Sequence, residues 1–392
     1  MASAPHDEAF MQRALDLALE TVALASPNPQ VGCVLVRDGK IFAEGAHLYA
    51  NRDHAEIAAL NQARQRGIDP AGATAFVTLE PCSHHGRTGP CADALIAAHV
   101  SRVVIATEDP NPKVSGQGIA RLRAAGIEVT LGVLQQPARD LNDAFAHFIQ
   151  SHTPFVTLKA ALSVDGYLAP AAETRTLNQP HWLTGPAARA EVQRLRHASD
   201  AILTGIGTVL ADDPALTDRS GILGPGGLVR RRPLLRIVLD AHLRIPLDSQ
   251  LVRSADSARG TASDLLVLTA PTAPTEKADA LRKAGAEVQS LPAQSGHISL
   301  PTVLETLAAR DIVSLLLECG SCLNGEFLTH DLVDKAILFY SETELGPQSL
   351  PFAEGVVSPY LFQQSLQRTT RAGFGTDACI TGYLHDPWKA KQ

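Results

Sequence analysis

Apolar positions along this chain follow two rhythms. Phe10, Ala14, Leu17, Ala18 and Leu19 recur at helical spacing and predict an amphipathic helix over 7–24, ended by Ser26-Pro-Asn-Pro29. The apolar runs 31–36 and 41–46 are joined by Asp38-Gly39, which predicts a hairpin. Further on, the pattern predicts helices over 53–66, 92–99 and 116–125, the first and last stopped by Gly67 and Gly126. Between them it predicts strands over 74–79, 102–106 and 127–131. Strands alternating with helices predict a sheet covered on both faces, in a first unit that runs to about residue 150. Pro154 begins a second unit, with a strand over 155–162, a helix over 186–197 with Pro186 in its first turn, and a strand over 201–203. Strands follow at 234–239, 265–268, 287–291 and 313–317, and residues 281–284 and 303–309 lie in helices between them. Residues 215–232 and 253–280 are rich in Gly, Pro, Ala and Ser and read as surface loops, although 265–268 reads as a strand. Arg230-Arg231-Arg232 reads as a solvated part of the first loop. The chain shows no internal repeat and no low-complexity tract.

Composition narrows the class. With 392 residues, 45% hydrophobic and 19% charged, there is material for two cores, which we divide at 1–150 and 151–392. Disorder as the main state is excluded by that balance. A net charge of −7 argues against a general nucleic-acid or anionic-membrane binder, and no apolar run reaches the roughly 18 residues of a membrane helix. The start lacks a cationic segment followed by an apolar one, and six cysteines are too few for a disulfide scaffold. The expectation is a cytoplasmic enzyme of two α/β domains acting on a small molecule, with no nucleic acid or membrane partner.

Chemistry concentrates at His54-Ala55-Glu56 and at Pro81-Cys82-Ser-His-His-Gly-Arg-Thr-Gly-Pro-Cys91. One imidazole and two thiolates make a three-ligand zinc set with a fourth position left for water, as catalytic sites have. Zinc lowers the pKa of bound water, so hydroxide is available near neutral pH. Glu56 lies two residues beyond His54 and can move a proton from water to a ring nitrogen and then to departing ammonia. A fourth protein ligand from His84 or His85 would instead make a structural knuckle. Cys33, on an apolar strand, reads as core.

The order His-x-Glu, then Pro-Cys and a second Cys, resembles the zinc nucleobase deaminases. Nucleic-acid-editing members have two residues between the cysteines; here Ser83 to Pro90 intervene, a polar loop whose His84, His85 and Arg87 suit a phosphate or ribose. This longer insertion resembles the bifunctional deaminase/reductase family of riboflavin biosynthesis. Pro27-Asn28-Pro29 with Val31-Gly32 resembles that family's substrate-cradling segment, and Asp109-Pro-Asn-Pro112 with Gly116 and Gly118 its ribose-side loop. The resemblance implies a cytidine-deaminase-like three-layer α/β/α domain. It puts Zn2+ on His54, Cys82 and Cys91, makes Glu56 catalytic, and sets Asn28, His84 and Arg87 against the substrate.

In the second unit, three strands run into small residues and then a helix: Lys159 to Gly166, Leu203 to Pro214 and Leu315 to Glu326. Glycine lets the backbone approach a ligand, and a helix N-terminus favours phosphate, yet such turns often serve geometry alone. Their order and spacing resemble the reductase half of the same family, which implies a dihydrofolate-reductase-like α/β domain using NADPH. By that resemblance Leu162, Trp182, Thr208 and Asp212 line the nicotinamide cofactor, and Gly320, Ser321, Cys322, Leu323, Asn324, Gly325 and Glu326 wrap its pyrophosphate. Arg196, Leu216, Arg219 and Glu318 face the substrate. Lys159 and Asp212 are the proton-donor candidates. Two departures stand out: Pro180 replaces the family's usual Ser, and the glycine turn reads Glu-Cys-Gly-Ser-Cys, so that Cys319 and Cys322 form a C-x-x-C. The implied function is hydrolytic deamination of 2,5-diamino-6-(5-phosphoribosylamino)pyrimidin-4-one. NADPH-dependent reduction of the ribosyl group of 5-amino-6-(5-phosphoribosylamino)uracil to ribityl follows. The alternative is a zinc deaminase of another nucleobase or nucleoside with an accessory or inactive C-terminal domain. The resemblance also implies a homodimer or larger assembly through the C-terminal domain.

Overall fold

The computed structural model describes residues 6–84, 89–112, 114–175, 181–255, 263–294, 296–355 and 358–389. Elements of the first unit are α1 (Asp7–Leu19), β1 (Gly32–Arg37), β2 (Lys40–Ala46), α2 (Ala55–Gln65), β3 (Thr74–Val77) and α3 (Cys91–Ala97). They are followed by β4 (Arg102–Ile105), α4 (Gln117–Ala124), β5 (Glu128–Leu131), α5 (Gln135–Leu141) and α6 (Asp143–Ser151). The strands form a five-stranded sheet in the order β2-β1-β3-β4-β5. β1 runs antiparallel to β2 and β3, and β3, β4 and β5 are parallel. β1 reads as an unbroken apolar run because it is buried on both faces. Cys33 and Leu35 pack with α2, α3 and α4, whereas Val34 and Val36 pack with α1 and Ala138 of α5. This is the expected three-layer α/β/α domain, and Cys33 is core with no exposed surface.

Two close approaches fix these layers. A Cβ on Gly32 would lie 1.9 Å from the carbonyl oxygen of Ala14 in α1. One on Gly45 would lie 2.3 Å from the carbonyl oxygen of Ala55 in α2. Only glycine lets both helices sit this close to the hairpin.

The second unit comprises β6 (Phe155–Leu162), β7 (Tyr167–Ala169), α7 (Pro186–Ala198), β8 (Ala201–Gly205), α8 (Ile206–Asp212), β9 (Leu235–Leu239) and α9 (Gln250–Arg253). Next come β10 (Leu265–Thr269), α10 (Thr275–Lys283), β11 (Glu287–Ser290), β12 (Ala293–Gln294), β13 (His297–Ile298), α11 (Leu300–Ala308) and β14 (Ser314–Leu317). The unit ends with α12 (Ser321–Thr329), β15 (Lys335–Tyr340), β16 (Leu350–Pro351), α13 (Pro359–Gln364), β17 (Gln367–Phe374) and β18 (Asp377–Tyr383). Its nine-stranded sheet has the order β11-β10-β9-β8-β14-β6-β15-β18-β17. The strands from β11 to β15 are parallel, and β18 and β17 are antiparallel additions at the edge. α11 and α12 cover one face; α8, α9 and α10 cover the other.

Two expectations need correction. The loop assigned to 253–280 is too long, because α10 begins at Thr275 on a stripe of Ala278 and Leu281 that packs against the sheet. The Arg230-Arg231-Arg232 triplet is not solvated. Arg230 donates to Asp218 Oδ2 (3.2 Å) and to the carbonyl oxygen of Ser199 (2.8 Å). Arg231 lies 4.0 Å over the Tyr49 ring of the first unit, and Arg232 donates to the carbonyl oxygen of Asp311 (2.9 Å). The triplet clamps loop 215–232 because carbonyls and the half-buried Asp218 carboxylate receive the forks of Arg230 and Arg232, and an aromatic ring receives that of Arg231. The C-terminal segment, unassigned from sequence, supplies three strands of the larger sheet, and its Trp388 packs against the first unit's core.

Candidate functional site

His54 is the extended residue that caps α2, Cys82 follows β3, and Cys91 opens α3. The fold thus brings three donors from two helix starts and a strand end to one point. His54 Nδ1 lies 3.6 Å from Cys82 Sγ and 3.3 Å from Cys91 Sγ, and the three ligand atoms all fall within 4.8 Å of one another. The backbone N–H of Cys91 donates to Cys82 Sγ at 3.3 Å, so the start of α3 turns positive partial charge onto that sulfur. The Cys82 thiol is held down to about 4 by the hydrogen bond from Cys91 and by His54, and that same hydrogen bond, with burial, pushes the Cys91 thiol up. His54 is raised, chiefly by its hydrogen bond with Cys82. One soft anionic sulfur beside a second thiol and an imidazole is a donor set that fits zinc. Glu56, in the first turn of α2, is 3% exposed, and burial raises its carboxyl to about 7. It faces the cluster without belonging to it.

The surroundings are ordered by groups that carried no sequence signal. Asn28 Nδ2 lies 3.0 Å from His47 Nε2, and His47 Nδ1 lies 2.8 Å from the carbonyl oxygen of Asp53. Burial lowers the His47 pKa and keeps the ring neutral, so its Nδ1–H donates to Asp53 and its Nε2 accepts from Asn28. The His47 ring also stands edge-on to His54, with centroids 5.4 Å apart. Glu80, buried two residues before Cys82, accepts four backbone N–H groups. Those of Asp109 (3.2 Å) and Gly116 (2.9 Å) reach Oε2, and those of Gly118 (2.8 Å) and Ile119 (3.1 Å) reach Oε1. This ties the ligand segment to the 109–119 loop. Burial raises the Asp109 carboxyl to about 6. His84 is exposed beside this loop, whereas Arg87 and His85 lie outside the described residues.

The second unit holds a cavity of about 1290 Å³ along the carboxyl ends of its central strands. It gathers Trp182, Thr208, Asp212, Arg196, Leu216, Arg219, Glu318, Gly320, Ser321, Cys322, Leu323 and Glu326, all singled out from sequence. Three expected residues are not brought there. Leu162 is fully buried in the core, Asn324 turns away to donate to the carbonyl oxygen of Phe352 (2.9 Å), and Gly325 is pressed against the backbone of Glu354. Successive positions of β6 and α12 face different directions, so Leu162 falls on the core side of its strand, and the run 320–326 cannot all face one ligand. Lys159, Arg175, His181 and Arg189 also line the cavity, with Arg189 5.2 Å over the Trp182 ring.

Glu318 is the cavity's charged centre. Arg196 binds it through Nε (2.8 Å) and Nη2 (3.0 Å), and Lys159 Nζ lies 3.5 Å away. Burial alone would raise its carboxyl, but Arg196 and Lys159 outweigh that and hold it down to about 2. The Arg196 fork is therefore committed to Glu318. Burial raises Asp212, against the charges of Arg175 and His181. At the start of α12 the Ser321 hydroxyl is buried with no hydrogen-bond partner among the described residues, and a Cβ on Gly320 would lie 3.7 Å from Thr208 Oγ1. An unsatisfied hydroxyl and an open glycine turn at a helix N-terminus fit the pyrophosphate of a dinucleotide.

Residues 4–107 match the cytidine and deoxycytidylate deaminase zinc-binding region, and residues 154–374 match the RibD C-terminal domain. The chain is 39% identical over 356 residues to the riboflavin biosynthesis protein RibD of Escherichia coli, covering 87% of this chain and 89% of that one. It is 38% identical over 385 residues to RibD of Bacillus amyloliquefaciens, covering 97% of each. Among solved structures, Acinetobacter baumannii RibD matches with a TM-score of 0.78 at 35% identity, covering 96% of this chain and 98% of that one. The diaminohydroxyphosphoribosylaminopyrimidine deaminase/5-amino-6-(5-phosphoribosylamino)uracil reductase of Thermotoga maritima matches with a TM-score of 0.77 at 33% identity, with the same coverage.

Proposed function

The chain belongs to the RibD family of riboflavin biosynthesis, which joins a deaminase to a reductase, and on that premise we propose which of its residues carry each step. It is an enzyme with hydrolase and oxidoreductase activities that uses zinc and NADPH. The rival reading, a deaminase of another base with an accessory second domain, gives way to this one.

We place zinc on His54, Cys82 and Cys91. When bound, zinc supplies the Lewis acidity that makes water a nucleophile near neutral pH. Glu56, buried beside the cluster, takes one proton from the water that attacks ring carbon C2 and delivers it to the ring nitrogen; it then takes the second from the new C2 hydroxyl and delivers it to the amino group, which departs as ammonia as the carbonyl forms. Asn28, fixed by His47, orients the pyrimidine, and His84 and Arg87 meet its phosphoribosyl end. The substrate is 2,5-diamino-6-(5-phosphoribosylamino)pyrimidin-4-one, a reading supported by the activity that the Thermotoga relative is named for. The observation that carries the deaminase half is the close His-Cys-Cys cluster with an interior carboxylate beside it.

In the second unit, NADPH, when bound, supplies the hydride. Gly320 and Ser321, with Thr208 beside them, cradle its pyrophosphate, and Trp182 flanks the path to the reacting sugar of 5-amino-6-(5-phosphoribosylamino)uracil. Arg196 holds Glu318 ionised and fixed against that sugar. Lys159, whose ammonium lies 3.5 Å from Glu318, holds the proton that the reduced sugar takes up. Arg219, exposed at the cavity edge, is left to meet the 5′-phosphate.

The division of the chain after residue 150 is supported by the end of α6 at Ser151. A homodimer or larger assembly through the second unit is supported by β17, an exposed strand at the sheet edge whose outer backbone is available for pairing. A cytoplasmic location is supported by six free cysteines. No helix among the described residues is long and apolar enough to cross a membrane.

The test follows NADPH absorbance after the diaminopyrimidine substrate is added to zinc-loaded protein, with Glu56→Ala in parallel. Wild type should consume NADPH, and the variant should do so only when given the deaminated uracil. If wild type releases ammonia but never oxidises NADPH, even with that uracil supplied, the reductase reading fails.

A further inference from the structure

The cavity continues beyond the pyrophosphate turn, and its far end has a different electrostatic character. β6, β14, β8 and β9 are successive parallel neighbours, so their carboxyl ends open along one rim, where open α/β sheets bind ligands. Glu318 and Gly320 follow β14, Ile206 to Thr208 follow β8, and Ala241, His242 and Arg244 follow β9. Neighbouring strands stand about 4.8 Å apart, so the end of β9 lies roughly 10 Å from that of β14. With its pyrophosphate at Gly320 and its nicotinamide toward Trp182, a dinucleotide sends its adenosine over β8 and β9. The β12–β13 hairpin folds over the same place: a Cβ on Gly296 would lie 3.7 Å from His242 Nε2, and His297 lines the cavity beside it.

His242, Arg244 and His297 are exposed, and none of their side chains has a hydrogen bond or ion pair among the described residues. Other arginines of this unit are committed: Arg196 to Glu318, Arg230 to Asp218, Arg236 to Asp264 and Arg310 to Glu287. The carboxylates that line the cavity stand elsewhere. Glu318 faces Arg196, Asp212 faces Arg175 and His181, Glu326 faces His330, and Glu354 lies near Cys322. The carboxylate that follows β9, Asp240, is fully buried and accepts the Ile245 N–H (2.7 Å), so no described carboxylate lines the cavity there to accept a free ribose 2′-hydroxyl, the arrangement that would favour NADH.

We infer that His242, Arg244 and His297 form the subsite that reads the 2′-phosphate of NADPH and discriminates against NADH. The inference rests on the assignment of the cavity to the dinucleotide. A guanidinium fork and two imidazole N–H donors, from a loop and a hairpin that close on each other, match a phosphate dianion and gain nothing from a hydroxyl.

Calorimetric titration with NADPH, NADH, 2′,5′-ADP and 5′-AMP tests this on wild type, on Arg244→Ala and on the double variant His242→Ala/His297→Ala. Each variant should bind NADPH and 2′,5′-ADP roughly ten- to a hundredfold more weakly, with NADH and 5′-AMP unchanged. Thermal melting by circular dichroism checks that the variants are folded. Equal losses for all four ligands, or no loss for any, would overturn the 2′-phosphate subsite while leaving the cavity as the dinucleotide site. If wild type binds neither NADPH nor 2′,5′-ADP, the dinucleotide assignment itself falls.

Discussion

Glu318 shows how a side chain can be buried and still carry charge. Its carboxyl stays ionised because Arg196 and Lys159 surround it, not because water does. Its pKa in the fold, about 2, lies below the roughly 4.3 of an unfolded chain, so its stabilisation is complete above pH 4.3 and is lost as pH falls toward 2. Replacing Arg196 by Leu leaves this carboxylate with Lys159 alone. We expect a loss of about 3 kcal/mol at neutral pH, read by urea unfolding, and an acid limb that begins at higher pH. An unchanged urea midpoint would show that the pair contributes nothing net. The pairing was invisible in sequence because its members lie 122 positions apart. Glu80 was missed for the same reason, since the amides that it gathers begin 29 positions downstream. The zinc-type cluster was legible because its ligand types come in short, ordered groups that ordinary core positions do not produce.

Among elements, legibility followed burial. Strands covered on both faces, such as β1, β6 and β10, announce themselves as apolar runs. β17 does not, because nearly every side chain along it is exposed and only pairing with β18 makes it a strand. α5 is short, carries Pro137 near its start and follows a left-handed Leu134, so neither length nor periodicity marks it. The site depends on contacts between elements as much as on the elements themselves. α2 carries both His54 and Glu56, and it can approach β2 only because residue 45 has no side chain. Gly45→Ala should push α2 outward, lower stability by about 1–3 kcal/mol, and reduce zinc per chain in proportion to the displacement. Retained full zinc content with an unshifted denaturation midpoint would mean that the helix has room that the structure does not show.

Across the whole molecule, the two units are joined by more than the linker at residues 152–154. Loop 215–232 reaches from the reductase cavity, at Leu216 and Arg219, to the first unit, where Gly224 meets Leu24 and Arg231 covers Tyr49. From the other side, Tyr383 donates to Asp143 of α6, and Trp388 Nε1 donates to Asp143 Oδ1 (3.3 Å) and to the carbonyl oxygen of Arg139 (3.3 Å). Trp388→Ala should therefore destabilise the first unit, by about 2 kcal/mol, although the substitution lies in the last residues of the second. Thermal unfolding followed by zinc release should shift down, and no shift would show that the tail only rests on the surface.

The seat of Trp388 against the first unit's core also bears on synthesis. A ribosome delivers the first 150 residues long before Trp388, and at about 5–20 residues per second the interval runs from roughly ten seconds to nearly a minute. Throughout that time the patch of the first half on which Trp388 rests stays uncovered. Vectorial folding of the first half is therefore complete only once residue 388 has emerged and docked back onto it.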